Sequence, residues 1–202
     1  MKDYNKITKE TIHSILALLG MLLIVYVMIY IDEKDADEII QNGVKTIGNV
    51  SPRIGNVFMT YTLNKKQWSN YQNSPFSGIQ EGEKYVIIAD KRKFNNILIE
   101  FDKPVILRKD INYFRKTKTQ LIEKNLFNYG SVVKFSYLVK GVLYKRFQKI
   151  PINQKIDFSE KNIYEVIYDL RNPKIAYLLL TDIPIIFSVK KTTSQSLGLF
   201  KE

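Results

Sequence analysis

The chain has 202 residues, 45% of them hydrophobic and 25% charged, which excludes a disordered polar chain and suffices for one medium domain or two small ones. It carries no cysteine and one histidine, His13, which excludes disulfides, thiolate zinc sites and, beyond the first segment, Cys–His or Ser–His–Asp catalysis. The formal charge of +11 favours anionic partners, such as headgroups, nucleic acid or acidic polymers, unless the lysines are simply solvated.

Residues 1–10 hold Lys2, Lys6 and Lys9 and read as a cytoplasmic N-terminus. From Thr11 to Ile31 there is no Asp, Glu, Lys or Arg. At ~1.5 Å per residue this run spans ~31 Å as a helix, the thickness of a hydrocarbon core. Tyr26 and Tyr30 lie near its end, where aromatic rings favour the headgroup layer. The apolar core is too long for a cleaved signal peptide, and no small-residue cleavage site follows it, so a retained signal-anchor over 11–31 is expected. Residues 32–42 form an acidic juxtamembrane linker with Lys34 as its only cation. The positive-inside rule then places the N-terminus in the cytoplasm and the rest outside. The expected location is a bacterial inner (cytoplasmic) membrane, single-pass. His13 sits near the cytoplasmic end of the helix and reads as interfacial.

The remainder reads as mainly β: two tandem small β-sheet or SH3-like barrel domains, 43–106 and 129–189, joined by a basic connector over 107–128 and followed by a flexible tail over 190–202. The hairpin Thr60 to Trp68 recurs 76 residues later as Ser136 to Tyr144, with Tyr61 matching Tyr137 and Trp68 matching Tyr144. Asn64-Lys65 and Lys140-Gly141 sit where each hairpin must reverse. A second block, Tyr85 to Arg92, recurs 79 residues later as Tyr164 to Arg171, so Asp90 matches Asp169. Lys103-Pro104-Val105 falls opposite Ile183-Pro184-Ile185. The connector carries Arg108, Lys109, Arg115, Lys116, Lys118 and Lys124, a candidate contact for anionic lipid or a partner. Within it, 116–127 is expected to form a short helix with Leu121 and Ile122 turned inward.

Two motifs in the second copy carry a resemblance. Gly141-Val142-Leu143-Tyr144 and Tyr168-Asp169-Leu170-Arg171-Asn172-Pro173 resemble the Gly-x-x-Tyr hairpin and the Tyr-Asp-Pro-x-Asn-Pro turn of a bacterial membrane-protein domain family of unknown function. Leu170 stands where that family has its first proline, and the first copy matches more weakly, through Gly82-Glu83. The resemblance implies small β domains attached to transmembrane helices and carries no chemistry. On physical grounds Asp169, Asn172 and Pro173 shape a turn between strands.

Catalytic patterns are sparse. Ser131-Val132-Val133-Lys134 matches Ser-x-x-Lys but runs into a strand, where residues three apart face opposite sides. No phosphate-binding glycine loop occurs, and no metal or cofactor is expected. Glu100 and Asp102 share a strand face in the manner of any half-buried strand. The leading expectation is a non-catalytic, membrane-anchored envelope protein that binds another protein and no nucleic acid. One alternative is an immunity-type protein that protects against a secreted toxin. The other is an envelope hydrolase using carboxylates such as Glu81, Glu83, Glu100 and Asp102.

Overall fold

A computed structural model describes residues 9–74, 76–124, 132–151, 156–157, 163–180 and 185–187. The chain divides into two compact units, Met1–Gly43 and Val44–Glu202. The first is built on one helix, α1 (Lys9–Asn42). By length and composition α1 is apolar enough to cross a membrane. It does not stop at the acidic stretch: 32–42, expected as a linker, continues the helix. The reason is compositional, since Glu33, Lys34, Ala36 and Glu38 are good helix formers and no Gly or Pro intervenes before Gly43. The Gly43 N–H then donates to the Ile39 carbonyl at 2.8 Å and closes the last turn.

The second unit is β. It contains β1 (Val44–Arg53), β2 (Asn56–Leu63), β3 (Lys66–Asn73), β4 (Lys84–Ala89) and β5 (Ile97–Leu107). A 3-10 helix over Arg108–Tyr113 leads to β6 (Phe114–Lys124), β7 (Val132–Val139), β8 (Val142–Lys149), β9 (Glu165–Asp169), β10 (Ala176–Leu178) and β11 (Ile185–Phe187). One sheet has the order β11-β5-β4-β1-β2-β3, the other β10-β9-β6-β7-β8. With β11 set aside, both follow fifth–fourth–first–second–third. β11 is the exception to the antiparallel pattern and lies parallel to β5, with Ile185 beside Val105.

Both expected hairpins form. Tyr61 pairs Trp68 and Tyr137 pairs Tyr144. Asn64 and Lys65 have φ of 50° and 63°, and Lys140 and Gly141 have φ of 49° and 80°, the left-handed pair of a type I′ turn, whose twist matches the strands. The likeness extends to side chains. The Tyr61 hydroxyl donates to the Phe94 carbonyl, and the Tyr137 hydroxyl to that of Pro173. Thr46 Oγ1 donates to the Thr62 carbonyl as Thr117 Oγ1 does to that of Leu138, both at 3.2 Å. Gln72 donates to the Ile97 carbonyl, and Gln148 accepts from the Leu178 N–H at 2.8 Å. The threonine contacts join neighbouring strands, whereas the tyrosine and glutamine contacts tie a middle or edge strand to the far end of its own sheet. Among the described residues β3 and β5 are not paired as strands, so an SH3-like barrel is not established; side-chain amides bridge them instead.

The connector differs from expectation. Residues 116–124 are not helical but lie in β6, the central strand of the second sheet, hydrogen-bonded to β7 on one side and β9 on the other. Ile122 is buried and Leu121 is half exposed, the alternation of a strand. The β-branched Thr117, Thr119 and Ile122 suit that position. Two apolar clusters result, one around Val57, Met59, Ile87 and Phe101, the other around Phe135, Tyr137, Val166 and Leu178. Val132 and Phe147, from the second sheet, pack into the first cluster. The expectations for 1–8, 125–128, Ser131, Ile183, Pro184 and 190–202 fall outside the described residues.

Candidate functional site

The turn between β9 and β10 begins at Asp169, where the strand ends. Its Oδ1 accepts the Arg171 N–H at 2.9 Å, and the Asn172 Oδ1 accepts the Lys174 N–H at 3.2 Å. These are the Asx turns that the residue types call for. Asp90 does the same in the first sheet, accepting the Arg92 N–H at 2.7 Å. Arg92 lies 3.6 Å from the Asp90 carboxylate, and in the second copy the matching arginine reaches further. Arg171 forks onto the Asp169 carboxylate, Nε to Oδ1 at 2.9 Å and an η nitrogen to Oδ2 at 2.5 Å. Its other η nitrogen lies 3.4 Å from the Asp110 carboxylate on the 3-10 helix. The guanidinium carbon sits 4.0 Å over the Tyr113 ring. Although burial opposes it, Arg171 holds the Asp169 carboxyl below the usual carboxylate range.

This assembly rims a cleft of about 240 Å³ where the ends of the two sheets meet. Glu81, Lys84 and Leu107 line it from the first sheet, and Asp169, Asn172 and Tyr177 from the second. Beside it lies a buried polar network. Arg146 on β8 donates one η nitrogen to the Glu83 carboxylate and the other to the Gly78 carbonyl. Glu83 also accepts from the Gln80 N–H at 3.0 Å and the Tyr85 hydroxyl at 3.2 Å. Side-chain exposure of the ion pair is 3% for Arg146 and 0% for Glu83. Burial pushes the Glu83 carboxyl up, while Arg146 and the donors around it pull it back. Among the described residues the Arg146 Nε and Gln148 Nε2 are buried without an acceptor.

The basic run does not gather into one patch. Arg108 and Lys109 belong to the 3-10 helix, and Lys124 ends β6. Arg115 and Lys116 point to opposite sides of β6. The Arg115 guanidinium donates to the carbonyls of Asn112 and Phe114, and Lys116 pairs with Glu165 at 2.9 Å. Lys118 is exposed on the same face as Lys116. Of the residues that defined the repeat, Tyr61, Trp68, Tyr137, Gly141, Tyr144 and Pro173 serve hairpins and turns, and Tyr168 packs against the second core. Asp90 shapes its turn and pairs with Arg92 at 3.6 Å, whereas Asp169 and Asn172 also reach the cleft.

The four carboxylates considered for hydrolysis do not converge. Glu81 lines the cleft and accepts from Ser51 Oγ at 2.5 Å. Glu83 is engaged by Arg146, and Glu100 pairs with Lys103. Among the described residues no group of three or more His, Cys, Asp or Glu is placed to hold a metal. Sequence reasoning missed Arg146 and the place of Tyr177 in the cleft. A pair such as Glu83–Arg146, 63 residues apart, leaves no local pattern to read. No family model, curated protein or solved structure matches the chain.

Proposed function

We propose that this is a single-pass membrane protein of the bacterial envelope, anchored by α1, whose β unit lies outside the cytoplasm and binds another protein without catalysing a reaction. The observation that carries the reading is the surface at the cleft rim. Arg171 is fixed by two carboxylates and a tyrosine ring, yet its side chain is 48% exposed. Tyr113 and Leu170 beside it are 45% and 41% exposed. Tyr and Arg dominate the energetics of protein interfaces, and an arginine already locked in place loses little entropy on binding. In the cleft Asp110, Asp169 and Arg171 are engaged with one another, Glu81 with Ser51 and Lys84 with the Gly82 carbonyl, an arrangement suited to presenting a shaped surface rather than to moving protons.

The test is purification from gently solubilised membranes at native expression. A stoichiometric protein partner is expected. Tyr113→Ala with Leu170→Ala, which leaves the Asp169–Arg171 pair intact, should weaken that complex by ~2 kcal/mol, about thirtyfold. A chain that purifies alone, or a complex indifferent to both substitutions, would sink the reading. The anchor has its own check. Replacing Leu22 and Leu23 by Arg puts two charges at ~2.5–3.5 kcal/mol each into the span, and the variant should become extractable by carbonate.

A further inference from the structure

The two sheets serve as controls for each other. Leu138 pairs Leu143 across the second hairpin, and Leu121 on β6 lies opposite Ser136, two residues along the same face of β7. These leucines are 50%, 40% and 52% exposed at 121, 138 and 143, and they point away from Tyr137 and the second core. In the first sheet the matching positions are Asn49, Thr62 and Gln67, fixed by the ladders that pair Asn49 with Thr60 and Thr62 with Gln67. The same fold is thus built with polar residues on this face, so packing does not require the leucines. Around them stand Lys118 on β6, Lys145 opposite Ser136, and Lys140 in the turn. All three are exposed, and among the described residues none of them joins an ion pair.

We infer that this leucine–lysine face of the second sheet docks on an anionic bilayer surface. The headgroup boundary offers apolar depth and negative charge together, and a Leu face with Lys around it matches both. The inference rests on the anchoring part of the proposed function, because α1 would hold the face permanently within reach of lipid. It moves the lipid contact expected of the basic run off Arg108, Lys109 and Arg115 and onto Lys118 with residues of β7 and β8. Lys116 lies on the same face but is already paired with Glu165.

Because the chain has no cysteine, one can be placed at will. Full-length protein carrying Leu143→Cys, labelled with an environment-sensitive fluorophore, is assembled into nanodiscs that contain lipid with a nitroxide on the acyl chain. Gln67→Cys, the matching position of the first sheet, receives the same label. Quenching is expected at 143 and not at 67, with phosphatidylglycerol present and not with phosphatidylcholine alone. Leu121→Asn with Leu138→Thr, which restores the residues of the first sheet, should abolish it. Lys118→Glu and Lys145→Glu should each lower the docked-to-undocked ratio at least fivefold, ~1 kcal/mol per charge removed. Equal quenching at 67 and 143, or none at 143 in either lipid, overturns the inference while leaving the anchor in place. Blue-shifted emission at 143 without lipid quenching means that a protein surface covers the face, and also overturns it. Failure of the chain to enter nanodiscs at all removes the anchor and the docking together.

Discussion

At the scale of single residues, the side chains that matter most are those that cross between the sheets. Glu83 and Arg146 are both buried, and each is the main counter-charge of the other. A pair of this kind gives little net stability relative to an apolar pair, but removing one partner strands a charge in the interior. Glu83→Gln alone, or Arg146→Met alone, should therefore cost ~3–5 kcal/mol. Glu83→Leu combined with Arg146→Met should recover most of that loss. Denaturant midpoints of the three variants, at unchanged slope, would check it; additive losses in the double variant would mean the pair acts through something other than mutual neutralisation. The pairing was not visible in the sequence, where Glu83 reads as one of four candidate carboxylates and Arg146 as one more cation in a basic chain. The hairpin tyrosines were visible, because Tyr61 and Tyr137 stand at fixed distances from turn residues that lie close in sequence.

Elements divide along the same line. The β2–β3 and β7–β8 hairpins were legible because strand, turn and returning strand occupy one short window. β6 was not, since its partners are β7 and β9, and the β9 residue that pairs Lys116 is Ile167. A strand stabilised by contacts that distant looks, in its own window, like a polar segment able to form a helix. The acidic end of α1 was misread for the opposite reason: charge suggested a linker, while backbone propensity continued the helix. The turns keep one local flaw open to test. Lys65 occupies the second left-handed position of its type I′ turn, where Gly141 stands in the other hairpin. A side chain there costs roughly 1 kcal/mol relative to glycine, offset in part by the entropy that glycine loses on folding. Lys65→Gly should stabilise the β unit by about 0.5 kcal/mol, and Gly141→Ala should destabilise it by ~1 kcal/mol. Midpoint shifts of opposite sign are the expected reading; two losses would mean that Lys65 makes a contact worth more than its strain.

For the whole β unit the question is whether two similar sheets behave as two domains or as one. The repeated strand order argues for two, since each sheet has its own cluster of buried residues. Three features argue for one. Val132 and Phe147 leave the second sheet to pack into the first cluster. The Glu83–Arg146 pair is buried only while the sheets stay together. β11 follows the second sheet in the chain yet pairs with β5 of the first. Separating the sheets would expose a charged pair and open a strand ladder, so unfolding of either should carry the other with it. Trp68 is the only tryptophan and sits in the first sheet against Phe94, which makes its fluorescence a reporter for that sheet alone. Phe135 is fully buried in the second cluster, and Phe135→Ala should cost ~3–5 kcal/mol there. In a cooperative unit the Trp68 transition moves to lower denaturant by that full amount and stays coincident with the loss of circular dichroism. In a tandem of independent domains Trp68 keeps its wild-type midpoint, and the dichroism splits into two steps. The interface contacts favour the first outcome, in which the duplicated strand order describes how the sheets are built and the shared core describes how they stay folded.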